Sequence, residues 1–469
     1  MQSAAAKANG ITQGVIWKQL LAFFFPILLG TFFQQLYNTA DAIIVGRFVG
    51  KEALAAVGGT TGTLINLFVN LFVGISSGVT VVVAQHYGAQ RYDEVSKAVH
   101  SSVALSLAGG AAMTVLGVLC SPMALRAMGT PSDIMGYAQT YIQVYFLGIT
   151  AAFLYNIGSA ILRATGDTRR PLYFLIAACL TNIVLDLLFV VKLEMGVLGV
   201  GIATTISQFL SAGLVVLALM RDHYACHLSW KDVRFHPAIL WSIVRVGFPA
   251  GVQSNMYTIS NIIIQSRINS FGTNTIAAWT AFGKIDGFFW MILGAYGISI
   301  TTFVGQNFGA RLFDRMRKSV HVCLGMAFGT AIVLSLLFYC FFDPIFHIFT
   351  DDPGVLEAGA QMVRLMVPFY FTFVCVEILS GAIRGTGDAL VPMLITCGGV
   401  CVLRILWLFF VLPFRWELST VLVSYPITWV ITSILFILYY RYGKWFQRRA
   451  ALLGAPPEGA LSAEPPARE

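Results

Sequence analysis

Apolar residues run in long blocks along nearly the whole chain, and short polar stretches separate them. Breaks in hydropathy mark twelve candidate spans, at 16–45, 54–84, 99–120, 138–162, 171–191, 197–219, 246–270, 275–306, 320–342, 360–383, 391–412 and 418–440. Each is long enough to cross a hydrocarbon core as a helix, which takes about 20 residues. The pattern predicts an all-α membrane protein with little mass outside the bilayer. The first run starts near Val15 and lacks a short apolar region ending in a small-residue cleavage site, so it reads as a retained span.

Composition sharpens this. Of 469 residues, 57% are apolar and 11% charged, and mean hydropathy is +0.76. A soluble domain carries roughly 25% charge, which excludes a water-soluble enzyme of this length. The eight cysteines lie mostly in apolar stretches and form no CxxC pairs, so neither a disulfide framework nor structural zinc is expected. The net charge of +8 is explained by topology. With the N-terminus inside, Lys and Arg crowd the inner loops, and only Arg47, Lys51, Arg126, Lys192 and Arg415 fall outside. This places both termini in the cytoplasm and the protein in the cytoplasmic membrane. A nucleic-acid partner is not expected, because the charge is spread over the inner loops and forms no stripe with aromatic platforms.

The chain repeats itself at a constant offset. Ala84–His100 (AQHYGAQRYDEVSKAVH) matches Gly305–His321 (GQNFGARLFDRMRKSVH), and Ser159–Pro171 (SAILRATGDTRRP) matches Ser380–Pro392 (SGAIRGTGDALVP). Phe25–Pro26 with Phe248–Pro249, and Gly74–Ser76 with Gly297–Ser299, keep nearly the same separation. Two six-helix bundles follow, at 16–220 and 246–445, joined by a polar linker at 221–245. They are flanked by a cytoplasmic segment at 1–15 and an Ala/Pro/Gly/Glu-rich tail at 446–469 that is expected to be disordered. Six is even, so the repeats are parallel, an arrangement found in alternating-access transporters.

On these residues the chain resembles the multidrug and toxic compound extrusion (MATE) family. AQHYGA and GQNFGA, RATGD and RGTGD, and GVLGVGIATTISQ at Gly196–Gln208 carry the resemblance, which covers roughly residues 15–445. It implies a proton- or sodium-driven antiporter that exports organic, often cationic, compounds. The motifs themselves read as joints. Gly166 tolerates φ > 0 past a helix end, Asp167 or Thr168 can cap the next helix, and Pro171 fits its first turn. Gly88 is expected to let the backbone turn after the second span.

Buried charge is the candidate chemistry, since an ionisable side chain at bilayer depth costs roughly 2.5 to 3.5 kcal/mol on insertion scales. Gln34, Asn38 and Asp41 share one face of the first span, and Asn182 and Asp186 share one face of the fifth. Two carboxylates converging in low dielectric cannot both ionise cheaply and would share a proton. Nearby Asn and Thr oxygens could instead help hold a bare cation. The resemblance maps a cation site onto Asp41, Asn156, Asn182, Asp186 and Thr204. In the second repeat Asp41 falls on Ile264 and Asp186 on Trp407, so neither acid is demanded by the six-helix architecture.

Pro26 is expected to kink the first span, either as a hinge or as a fixed bend. In the second half Glu377 and Arg404 read either as a buried pair or as a place where Glu377 receives a cationic substrate, and Asp286 is a further buried acid. The expected partners are small organic substrates and membrane lipid, with a monomeric chain and no cofactor beyond the coupling proton or sodium. A flippase for a lipid-linked saccharide is the alternative, but its cavity should carry several cations for a pyrophosphate. An intramembrane enzyme is disfavoured because there is no HExxH or GxSxG and the histidines lie in loops or at span ends.

Overall fold

The computed structural model describes residues 10–222 and 225–452. The expected end segments at 1–15 and 446–469 fall partly outside this range. With no water in the hydrocarbon core, each span must satisfy its own backbone, and the apolar runs therefore wind into helices. Eleven are long and apolar enough to cross a membrane: α1 Ile16–Phe48, α2 Lys51–Gly88, α3 Tyr92–Ala127, α4 Ser132–Ala164, α5 Arg169–Lys192, α6 Gly196–Met220, α8 Thr273–Gly309, α9 Phe313–Cys340, α10 Pro353–Gly385, α11 Leu390–Phe414 and α12 Leu418–Tyr442. The twelfth, α7 (Pro237–Asn269), is equally long. Gln253, Asn255, Asn261, Gln265 and Arg267 make it more polar than the others. Most helices outrun their apolar segments. α3, for example, begins seven residues early with Asp93 and Glu94 in its first turn, where carboxylates meet the positive end of the helix.

Two compact units emerge, Met1–Thr258 with Gly309–Leu312, and Ile259–Phe308 with Phe313–Glu469. The division between them falls inside α7. In the first unit α4 is central and packs on α2, α3 and α6, while α5 packs on α1 and α6. Phe72 on α2 stacks on Phe153 of α4 at 4.1 Å. The first part of α7 crosses α2 backbone to backbone: a Cβ at Gly74 would fall on Gly251, and one at Gly247 would lie 2.6 Å from Ile75 Cα. Asn70 Nδ2 donates to Thr258 Oγ1 at 2.9 Å beside this crossing. In the second unit α10 packs on α9 and α12, and α11 packs on α12.

The RATGD joint forms as its residues suggest. Gly166 adopts φ +104°, and Asp167 Oδ1 accepts from the N–H groups of Arg169 and Arg170, each at 3.1 Å, capping α5. Gly88 behaves differently. The left-handed residue after α2 is Gln90 (φ 58°), and its counterpart after α8 is Arg311 (φ 60°). At the corresponding joint of the second repeat, glycine serves close approach: a Cβ at Gly309 would strike the backbone of Gln85.

Candidate functional site

The polar residues of the first unit converge on one place. Asp41 (5% exposed), Asn182 and Asp186 (both 0%) are buried, although α1 and α5 are far apart in sequence. Asp41 stands against Asp186, Asn182 and Thr204, and Thr204 Oγ1 on α6 donates to Asp41 Oδ2 at 3.4 Å. α5 changes from α- to π-helical winding immediately after Asp186, over Leu187–Lys192. Such wide turns recur at functional sites.

Five buried polar atoms here have no hydrogen-bond partner among the described residues: Asp41 Oδ1, both carboxylate oxygens of Asp186, and both amide atoms of Asn182. Native interiors seldom leave such atoms unpaired, so a cluster of five calls for an explanation. Beside them is a cavity of about 350 Å³, lined in part by Gln34, Asn38, Asp41, Asn156 and Thr204. Asn182 and Asp186 lie outside its lining, against Asp41. Asn156 turns its Nδ2 to the Ala152 carbonyl at 2.8 Å. Pro26 sits within the continuous helix α1 and takes no part in the lining.

Sequence reasoning missed the aromatic and amide part of the wall, namely Tyr37, Tyr141, Tyr145, Tyr155 and Gln208. A signal was present. Tyr141, Tyr145 and Asn156 lie on one face of α4, at i, i+4 and i+15, and Gln208 ends the GVLGVGIATTISQ motif.

A sequence model of the family MatE matches this chain twice, over residues 26–188 and again over 249–410. The chain belongs to the MatE family. The double match is the repeat seen in the sequence, and the fold is that of a twelve-helix membrane protein in two bundles. Among relatives of this MatE chain, the probable multidrug resistance protein YoeA of Bacillus subtilis is 26% identical, over 91% of this chain and 94% of that protein. The probable multidrug resistance protein NorM of Thermotoga maritima is 27% identical, over 93% and 94%. A solved outward-facing MATE multidrug resistance transporter has a TM-score of 0.87 at 22% identity, covering 96% of this chain and 99% of that one. The MatE chain is thus a multi-pass membrane transporter.

In its second unit Asp286 and Arg404 both stand near Tyr425, while Glu377 has Arg384 as its charged neighbour. Arg404 (3% exposed) lies 3.8 Å above the Tyr425 ring and donates to Thr428 Oγ1 at 2.9 Å. Glu377 presses its carboxyl against Gly297 of α8, so that a Cβ there would collide with it. Asp286 accepts from Trp290 Nε1 at 2.6 Å and from the Tyr370 hydroxyl. Tyr370 also stacks on Phe289 at 4.2 Å. Lys284, two residues from Asp286, is exposed.

Proposed function

We propose that this chain is a secondary active antiporter that exports organic, chiefly cationic, compounds across the cytoplasmic membrane in exchange for protons or sodium. Asp41 and Asp186 form the coupling site, with Asn182, Asn156 and Thr204 around them. The observation that carries this reading is the set of five unpaired buried oxygen and nitrogen atoms beside the cavity. Unpaired buried carboxylate oxygens are costly, and a proton or a small cation removes that cost. Ion occupancy therefore has a large energetic hold on how α1, α5 and α6 pack. A ligand shifts a conformational equilibrium only through such differential affinity.

The wall also suits a flat organic cation. Tyr37, Tyr141, Tyr145 and Tyr155 offer aromatic faces and Asp41 the opposite charge. Among the described residues no Lys or Arg lines the cavity, which disfavours the flippase reading, because a pyrophosphate needs cationic partners. In this proposal both termini are cytoplasmic, bundles 16–220 and 246–445 alternate as a monomer around the 221–245 linker, and Pro26 sets the bend of α1.

Reconstitution tests it. Proteoliposomes holding a fluorescent organic cation should export it under an imposed pH or sodium gradient, each applied separately. Asp186→Asn should keep dye binding and lose gradient-driven efflux. Wild-type export that persists with both gradients collapsed, or unchanged efflux by Asp186→Asn, removes the assignment.

A further inference from the structure

The repeated motif ends in a histidine in both halves, His100 and His321, and nothing in the coupling site uses either. Their surroundings differ. His100 lies in the first turns of α3 and is 4% exposed. Its Nε2 accepts the backbone N–H of Ser229 at 3.1 Å, and its Nδ1 faces the Ser96 carbonyl at 2.7 Å. An acceptor role at Nε2 and a carbonyl at Nδ1 require the neutral ring with its proton on Nδ1.

Ser229 belongs to the segment that joins α6 to α7. The next residue of α3, Ser101 (0% exposed), holds the far end of that segment: its Oγ accepts the N–H of His236 at 3.0 Å and lies 3.0 Å from His236 Nδ1. Between α6 and these anchors, Cys226 and Leu228 (2% and 1% exposed) are buried in the same core as Val95, Val99 and Leu219. Two consecutive residues of α3 therefore staple the stretch from Ser229 to His236. In the second repeat His321 keeps its Nδ1 on the Arg317 carbonyl at 2.8 Å. Val322 stands where Ser101 would be, and His321 is exposed. The staple belongs to the copy that has a linker to hold.

We propose that His100 is a proton-sensitive latch for the segment connecting the two repeats, closed when the imidazole is neutral and released when it is protonated. A second proton has only Nε2 to occupy, where it would point at the Ser229 N–H and turn an acceptor into a donor. The latched state is therefore the deprotonated one, and an added proton releases it. The charged and titratable groups around this corner are Glu94 and Lys97 on α3 itself, paired at 2.7 Å. His86 and Arg91 stand at the end of α2, and Arg234 and His236 stand on the segment. Burial first, then the positive charge of Arg234 and Lys97, holds the His236 imidazole below its ordinary value, with Glu94 opposing. The latch sits on the face proposed as cytoplasmic, where imported protons would arrive.

Hydrogen exchange of the intact protein in lipid nanodiscs reads the Ser229 amide without any transport assay. After correction for intrinsic rates, wild-type protection of the peptide spanning Leu228–Ser229 should fall roughly two- to tenfold between about pH 7.5 and about pH 5.5, the range that one net hydrogen bond supports. His100→Gln keeps an acceptor that does not titrate and should hold its protection at both pH values. His100→Phe should lack it at both, and His321→Gln should behave as wild type. Wild-type protection that does not change with pH overturns the latch, as does His100→Gln losing protection in parallel with wild type.

Discussion

Gly74 and Gly78 on α2 meet Gly247 and Gly251 on α7 with no side chain between the two backbones. A methyl group at Gly74 would land on the Gly251 backbone and 2.8 Å from the Gly247 carbonyl oxygen. A methyl at Gly78 would lie 2.8 Å from the Gly247 amide nitrogen. None of these neighbours is the end of a flexible side chain, so the helices themselves must part. Overpacking of a close core contact costs typically 1–3 kcal/mol, and this site should fall in the upper half, about 2 kcal/mol or more. At roughly 1 °C per kcal/mol for a chain of this length, Gly74→Ala should melt about 2 °C or more below wild type. Gly213→Ala on α6 is the control, because its methyl meets nothing within 4 Å. Thermal unfolding in one detergent, followed by size-exclusion of the heated samples, gives the comparison. Since the crossing is also braced by Asn70 and Thr258, Asn70→Ala should add to the loss. If Gly74→Ala and Gly213→Ala melt together with wild type, the backbone contact is not what holds α7 on α2.

Three further outcomes follow from single contacts. Asp167→Ala removes the cap of α5 and should cost about 1 kcal/mol; exchange of the first-turn amides reads this, while Asp167→Asn should retain most of their protection. The Arg170 partner contributes little to that figure, its side chain being 40% exposed. Arg404→Lys loses the flat guanidinium over Tyr425 and should destabilise by roughly 2 kcal/mol, whereas Arg404→Met removes the buried charge and should melt higher than Arg404→Lys. Thr204→Val keeps the shape of α6 but withdraws the hydroxyl from Asp41. In the liposome assay it should reduce gradient-driven export about two- to tenfold at unchanged dye affinity, and a matched loss of dye binding would place Thr204 on the substrate instead.

Much of this was legible in the chain. The apolar runs located the spans because a helix in oil must be apolar over its length. α7 was found from hydropathy too, although it is the most polar of them, and the Pro26–Pro249 register of the repeat agrees with its place. The RATGD joint was readable because Gly166 and Asp167 act on their own backbone, within a few residues. The turn after α2 was less readable: its left-handed position falls on Gln90, not on Gly88, and sequence does not tell which residue of such a motif takes it.

The sequence by itself determined the number of helices, their repeat, and the presence of acids on one face of α1 and one face of α5. Those follow from hydropathy and helical period, which are local properties. The tertiary structure decided that the two faces turn toward each other, so that Asp41, Asn182 and Asp186 share one buried corner beside a tyrosine wall. It also decided that Arg404 stacks on Tyr425 and that His100 receives the Ser229 amide. Those depend on how helices distant in sequence are rotated and packed, and no period along a single helix carries that information.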